Sequence, residues 1–247
     1  MAYYSQSDYA VRMEWGDHAI THLASDVECV VVVDVMSFST CVSIATDQGA
    51  AIYPYPWRDE TALAYGRERD AAVASSKRRF EGGYSLSPSS LLALPANMKL
   101  VLPSPNGSAI AYRAKDVCAN VLCGSLRNMA ATSSACRAFS SVLIVPCGER
   151  WPDGSLRPAL EDYVAAGGIA AAIGGESLSP EAWAAAMAFE QMGLGRAEAL
   201  RRCGSARELI ERGFEADVAL CLQEDVSRFA CRLDGDCFRR TEPDALH

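Results

Sequence analysis

The strongest apolar pattern in the chain is Val30-Val31-Val32-Val33, four β-branched residues that run without alternation into Asp34. Such a run reads as a strand buried on both faces. The hydroxyl cluster Ser37, Ser39 and Thr40 behind it opens an amphipathic segment with Val42, Ile44 and Ala45, so the unit is strand, turn, helix. It recurs. Gly49 to Pro54 reads as a short strand stopped by prolines, residues 58–74 as a helix with Leu63, Ala64, Ala71 and Ala72 on its apolar side, and Lys99 to Leu102 as a strand before a helix from Ala109 to Ala114. Asn120 to Cys123 is a further strand with a helix reaching about Phe139, and Ser141 to Pro146 another, with a helix from Ala159 to Ile169. From Pro180 the pattern is helical: Pro180–Met192 with Trp183, Met187 and Phe189 as core contacts, Gly195–Cys203, and Ala206–Arg212. Val218–Leu222 is apolar and Arg228–Arg240 reads as irregular and charged. Strands alternating with helices predict an α/β fold, a mainly parallel sheet with helices on both faces, and a site at the carboxyl ends of the strands. Residues 1–247 read as a single domain, with two intertwined α/β sub-regions as the variant.

Four strand ends carry a polar or glycine-containing turn: Asp34 to Ser37, Pro105-Asn106-Gly107-Ser108, Gly124-Ser125 with Arg127 and Asn128, and Cys147-Gly148-Glu149-Arg150. If the strands run parallel, all four lie on one edge. The chemistry they allow is narrow. D-x-D fails because Met36 stands two residues after Asp34, and neither Cys123 nor Cys147 has an arginine six residues on. The Walker loop, G-x-G-x-x-G and G-x-S-x-G are all absent. What remains is a carboxylate-and-hydroxyl edge suited to Mg²⁺, which needs one or two carboxylates, so Asp34 with Glu149 or Glu161 suffices. Arg127 and Arg150 would offset phosphate charge. Glu161 and Asp162 are adjacent, about 100° apart on a helix, so at most one is expected to face a given site.

Composition narrows the partners. A formal charge of −8 and a pI near 5.0 argue against nucleic acid or an anionic membrane surface and leave a small anionic, phosphorylated substrate. The ten cysteines stand singly, with no C-x-x-C and only three histidines, which argues against zinc. His18 and His22 share a helix face but read as a solvated pair, and Lys77-Arg78-Arg79 as a solvated helix end. Glu81 to Ser90 reads as a linker or as a loop folded over a site, and Asp217, Glu224 and Asp225 as capping or solvated. The first residues lack a basic, then apolar, leader, and no apolar run has transmembrane length; the expectation is a cytoplasmic chain with reduced thiols.

With the turns in this order, the chain resembles the 2-phosphosulfolactate phosphatase (ComB-like) family. The likeness is carried by Val31 to Thr40, by Pro105 to Ala109, by Gly124 to Asn128, by Cys147 to Arg150 with Leu160-Glu161-Asp162, and more weakly by Gly213-Phe214-Glu215-Ala216-Asp217. The resemblance implies a three-layer α/β/α fold, Mg²⁺ dependence and hydrolysis of (2R)-2-phospho-3-sulfolactate to 3-sulfolactate and phosphate, a step of coenzyme M synthesis in the best-known members. Asp34 would hold the metal with Glu149 and with Glu161 or Asp162. Ser37, Ser39, Thr40, Asn106, Gly107 and Ser108 would cradle the phosphate, with Ser125, Asn128 and Arg150 on the substrate and Arg127 neutralising charge. The nucleophile stays open between water, Asp34 and a cysteine. Ser37 and Ala109 stand where the family pattern carries arginines, which points to a related phosphorylated hydroxy acid as an alternative substrate. Another small phosphoester, or non-catalytic binding of a small anion, are the other readings, and homo-oligomerisation is left open.

Overall fold

Cys29 to Val33 are all inaccessible to solvent, as an unbroken β-branched run requires, and alternate residues serve two different apolar layers. In the computed structural model, which describes residues 3–56, 59–75, 77, 83–175 and 177–241, this strand sits in a nine-stranded sheet. In chain order the elements are β1 (Val11–Met13), α1 (Gly16–Leu23), β2 (Cys29–Val33), α2 (Phe38–Asp47), β3 (Ala51–Tyr55), α3 (Glu60–Glu68), β4 (Ala72–Val73), β5 (Lys99–Pro103) and α4 (Gly107–Ala114). They continue with β6 (Asn120–Gly124), α5 (Met129–Cys136), β7 (Val142–Pro146), β8 (Glu149–Arg150), β9 (Leu156–Arg157), α6 (Leu160–Ile173), α7 (Pro180–Met192), α8 (Arg196–Arg201), α9 (Gly204–Glu211), α10 (Glu215–Cys221), β10 (Ala230–Asp234) and β11 (Cys237–Thr241). The sheet order is β1-β7-β2-β6-β10-β11-β3-β5-β4, and β8 and β9 form a separate ribbon.

The expected α/β fold is present, but its strands fall into two parallel groups. The strands β1, β7, β2 and β6 pair in parallel, as do β3, β5 and β4. The β10–β11 hairpin joins the groups through antiparallel pairings, so the second group runs against the first. On one face Val30, Val32, Ile52, Leu100, Leu102 and Phe238 share a core with α1, α2 and α4. On the other, Val31, Val33 and Ile144 pack under α5, α6 and α7, while Ala51, Tyr53 and Val101 pack with Tyr65 of α3. Four strands separate β2 from β5, about 24 Å across a flat sheet. Yet the turn after β5 donates a 2.7 Å hydrogen bond to the turn after β2, so the sheet must curl strongly around α2 and α4.

Several expectations change for local reasons. The helix expected over 58–74 ends at Glu68, because Asp70 takes φ of 50° and the chain then forms β4. Pro54 lies inside β3; β11 pairs with that strand only at Ile52, so the missing N–H costs no ladder bond. Arg228–Arg240, read as irregular, contains the central hairpin. Its charges disguised the alternation: Cys231, Leu233 and Phe238 turn inward, while Arg232 reaches Asn120 and Arg240 reaches the Asp47 carbonyl. Residues 1–28, read as mixed, contribute β1 and α1. Of the basic triplet, Lys77 is exposed, whereas Arg78 and Arg79 lie outside the described residues, as do Met1, Ala2, Glu81 and Gly82. All ten cysteines are free and buried. Among the described residues no helix is long and apolar enough to cross a membrane.

Trp183, expected in the core, is 57% exposed. The buried stripe of α7 is instead Ala182, Ala185 and Ala186, because α6 crosses too close for anything larger. A Cβ on Gly167 would stand 2.0 Å from the Ala185 carbonyl oxygen. We therefore expect Gly167→Val to push α6 and α7 apart and lower stability by about 2–4 kcal/mol, read as a fall in the urea midpoint at unchanged slope.

Candidate active site

The first turn after β2 is built around its own carboxylate. Asp34 is 6% exposed; its Oδ1 accepts the Phe38 N–H at 3.2 Å and its Oδ2 the Gly107 N–H at 2.7 Å. Gly107 has to be glycine, since a Cβ there would fall 2.6 Å from Asp34 Oδ2 and 2.7 Å from the Phe38 ring. Two backbone donors keep a buried carboxylate satisfied and fixed in direction. Asn106, the residue before Gly107, donates from Nδ2 to Glu149 Oε2 at 3.0 Å, bringing the turn after β7 to the same place.

These groups line a pocket of about 210 Å³. Asp34, Ser37, Ser104, Asn106 and Glu149 form its polar floor, Met36, Leu86 and Leu209 its apolar side, and Ser205, Glu208 and Arg212 a third wall from α9. The volume suits a molecule of hydroxy-acid size rather than the larger ligands that fill about 300–1,000 Å³. Of the residues expected here, Asp34, Ser37, Asn106 and Glu149 converge on the pocket, and Gly107 stands directly behind Asp34.

The other expected site residues are placed differently. Ser39 Oγ accepts the Asp34 N–H at 2.8 Å and donates to the Val32 carbonyl, and Thr40 Oγ1 donates to the Val35 carbonyl, so both hydroxyls knit the turn. Ser108 Oγ accepts from Tyr55 N and donates to the Leu102 carbonyl, joining the ends of β3 and β5. Ser125 and Asn128 cap one another beside the Cys123 carbonyl. Arg127 is buried at the far end of α2, donating to Gln223 with Nη2 3.8 Å from Asp47. That helix has ten residues, which puts Asp47 about 15 Å from the Ser37 end. Arg150 is exposed and donates to the Gly154 carbonyl. Parallel pairing sets the ends of β7, β2 and β6 side by side and the curl brings in the end of β5, but the side chains after β6 turn away from the pocket.

The acidic pair on α6 diverges, as its 100° offset implies. Asp162 Oδ1 accepts from Val35 N at 2.7 Å and Oδ2 from Gly148 N at 2.9 Å, tying the first and fourth turns together. Burial, then the charges of Glu161 and Asp34, push its carboxyl pKa up against those two donors. Glu161 is 2% exposed and accepts from Cys203 Sγ at 3.2 Å. Glu149 is half-buried, and burial followed by the charges of Asp34 and Glu161 pushes it up to about 7, while Arg157 and Asn106 oppose the shift. The thiols nearest Asp34, Cys123 and Cys147, are pushed well up by burial and by that negative charge. They stay protonated at neutral pH and make poor nucleophiles.

Charge is the pocket's unsolved balance. Asp34, Glu149 and Glu208 face it against Arg212, whose Nη1 already lies 2.8 Å from Glu208. A phosphorylated anion would enter a field of its own sign unless a cation came with it. Among the described residues no three His, Cys, Asp or Glu side chains converge as a ready-made cage. Asp34 and Glu149 with waters and substrate oxygens fit the oxygen preference of Mg²⁺ and its tolerance for few protein ligands. His18 and His22 stack on α1 with ring centroids 6.0 Å apart, away from this pocket. The α9 wall had escaped notice, although Ser205, Glu208, Leu209 and Arg212 recur at i, i+3, i+4 and i+7, one helix face. Arg157, which approaches Glu149, lies in the turn-rich loop from Trp151 to Pro158.

A family model described as 2-phosphosulpholactate phosphatase matches residues 18–236. The 2-phosphosulfolactate phosphatase of Methanothermobacter thermautotrophicus is 31% identical over 204 residues, covering 80% of this chain and 83% of that protein. A probable 2-phosphosulfolactate phosphatase of Thermus thermophilus is 30% identical over 211 residues (82% of this chain, 86% of its own), and one of Thermotoga petrophila 27% over 208 residues (82% and 88%).

The raised Glu149 carboxyl sets a pH dependence. Between about 4.5 and 7 the folded chain holds a proton that the unfolded chain has lost, so this group's contribution to stability falls as pH rises through that window and its penalty is complete above about 7. In chelator, Glu149→Gln should flatten that fall and be more stable than wild type at pH 8 by about 1–2 kcal/mol, allowing for partial exposure. Denaturant titrations at pH 5 and pH 8 measure the difference.

Proposed function

This chain belongs to the 2-phosphosulpholactate phosphatase family and is a phosphoric monoester hydrolase, and from that premise we propose that it hydrolyses 2-phosphosulfolactate, or a closely related phosphorylated hydroxy acid, with Mg²⁺. The observation that carries the reading is the convergence of Asp34, Ser37, Asn106 and Glu149, from three separate strand ends, on one small pocket whose lining arginine, Arg212, is already paired with Glu208. Asp34 and Glu149 would hold Mg²⁺, which supplies charge neutralisation on the phosphoryl oxygens. Gly107 and Phe38 keep Asp34 aimed, and the Asn106 amide does the same for Glu149. Ser37 and the second Asn106 amide hydrogen are placed to donate to phosphate oxygens, with Arg157 adding positive charge from the ribbon.

Chemically, a water oxygen bonds to phosphorus as the phosphorus–ester oxygen bond breaks, one proton of that water passes to the leaving alkoxide, and the products are the alcohol and phosphate. Water is the better nucleophile here than either alternative. The thiols beside Asp34 are held protonated, and Asp34 is already assigned to the metal. The carbon skeleton would lie against Met36, Leu86 and Leu209. Ser37 on the floor and the Glu208-paired Arg212 at the wall leave little positive charge for a second strong acid. This favours a related phosphorylated hydroxy acid beside phosphosulfolactate itself.

Phosphate release from 2-phosphosulfolactate and a panel of phosphorylated hydroxy acids, with Mg²⁺ and with EDTA, tests the proposal. We expect EDTA to abolish release and Mg²⁺ to restore it. Asp34→Asn should lower kcat by about 10³-fold or more while the chain remains folded by circular dichroism. A folded, fully active Asp34→Asn protein would overturn the assignment.

A further inference from the structure

The serine-rich segment before β5 and helix α10 meet on a single carboxylate outside the acidic pocket floor. Asp217, in the first turn of α10, is 2% exposed. Ser87 Oγ donates between its two oxygens at 2.8 and 2.6 Å, and Ser89 donates to Oδ1 from both N, at 3.0 Å, and Oγ, at 2.6 Å. An acid at this helix position ordinarily stays in water, where it favours the dipole. Here it turns inward and binds a different segment.

That segment forms part of the pocket. Leu86, immediately before Ser87, lines it, and Leu91 at the segment's other end is fully buried in the core beside α2. Ser90 Oγ closes the segment on itself by donating to the Ser87 carbonyl at 2.8 Å and accepting from Ser85 N at 3.1 Å. The segment's start is tied by the Ser75 N–H to the Tyr84 carbonyl at 2.8 Å, Leu86 and Leu91 rest on the core, and between those anchors Asp217 holds the turn itself. Helix α10 in turn packs against α9, whose Ser205, Glu208, Leu209 and Arg212 form another wall.

We infer that Asp217 is a positioning residue for the hydrolase reaction: its clamp on Ser87 and Ser89 holds Leu86 against the pocket, and Leu86 so held limits the size of the phosphoester's organic group. The inference rests on the phosphatase reading above. Oδ1 accepts from Ser89 N and Oγ, and Oδ2 from Ser87 Oγ, so removing the carboxylate leaves three donors without their acceptor. Leu86 lines the same pocket as Asp34, Ser37 and Asn106, and as an apolar side chain it meets the organic end of a bound phosphoester and leaves the phosphate to the polar groups.

The full-length chain with Mg²⁺ serves for the test, with 2-phosphoglycolate as the small substrate and phenyl phosphate as the bulky one. Amide hydrogen exchange over residues 84–91 is followed in parallel. Asp217→Ala and the double variant Ser87→Ala/Ser89→Ala should each speed exchange there at least tenfold, raise KM for phosphoglycolate at least fivefold with kcat within threefold, and lower the preference for the small substrate about tenfold. Combining all three substitutions should add little to either effect, since they break one clamp. Leu86→Ala, which leaves the clamp intact, should relax the size preference without faster exchange. Faster exchange with unchanged KM and preference would reduce Asp217 to a structural role and overturn the inference, as would a loss of kcat at unchanged KM. A wild-type chain that hydrolyses neither compound nor 2-phosphosulfolactate overturns the phosphatase reading itself, a result distinct from an active wild type whose variants keep its KM and preference, which overturns the inference alone. A wild type active on 2-phosphosulfolactate only is judged by the same exchange and KM readouts on that substrate.

Discussion

The hydrogen bond from the Gly107 amide to Asp34 is the constraint on which the site depends. It joins the ends of two strands that belong to opposed halves of the sheet, with four strands between them. A flat sheet could not make it. The curl that does make it wraps the sheet around α2, whose residues from Phe38 to Thr46 are all buried, and fixes the direction of the Asp34 carboxylate at the same time. Fold closure and site geometry are therefore one event, and the lack of a side chain at Gly107 is what permits both.

Around that bond the chain gathers four acids and gives them different work. Asp162 satisfies backbone N–H groups of two turns, and Glu161 takes the Cys203 thiol proton as a hydrogen bond. These two are part of the scaffold. Asp34 and Glu149 keep a side open to the pocket, and burial followed by the charge of Asp34 raises Glu149 to about 7. An ionised set of this kind weakens the fold, a trade commonly found at functional sites.

Much of the first half of this picture was legible in the sequence. The Val30–Val33 run specified a doubly buried strand, and the position of Asp34 at its end specified a carboxylate at a helix entry. What misled was the step from strand order to side-chain direction. The turn after β6 does follow a strand paired in parallel beside β2, but Ser125 and Asn128 turn onto one another and the Cys123 carbonyl, and Arg127 runs to Asp47 at the far end of α2. The β10–β11 hairpin, which reverses β3, β5 and β4, was also unforeseen. That hairpin was itself obscured because Arg232, Arg239 and Arg240 interrupt its apolar alternation. Hydroxyls were equally ambiguous: Ser37 faces the pocket while Ser39 and Thr40, two and three residues on, bond back to the turn. No periodic rule separates a serine that meets a ligand from one that meets its own backbone. Trp183 failed for a simpler reason, since the closeness of α6 to α7 favours alanine over bulk.

The β10–β11 hairpin has one more consequence, for the order in which the molecule comes into being. It occupies the middle of the sheet but follows every other strand in the chain. While the protein is being synthesised, β6 and β3 therefore emerge early and wait with open hydrogen-bonding edges for partners that are still to come. Each half can gather its own helices in that interval, yet neither can close on the other. Nascent chains of this architecture expose two unpaired strand edges at once, the condition under which chains most readily pair with one another, and their need for protection during translation is written into the strand order.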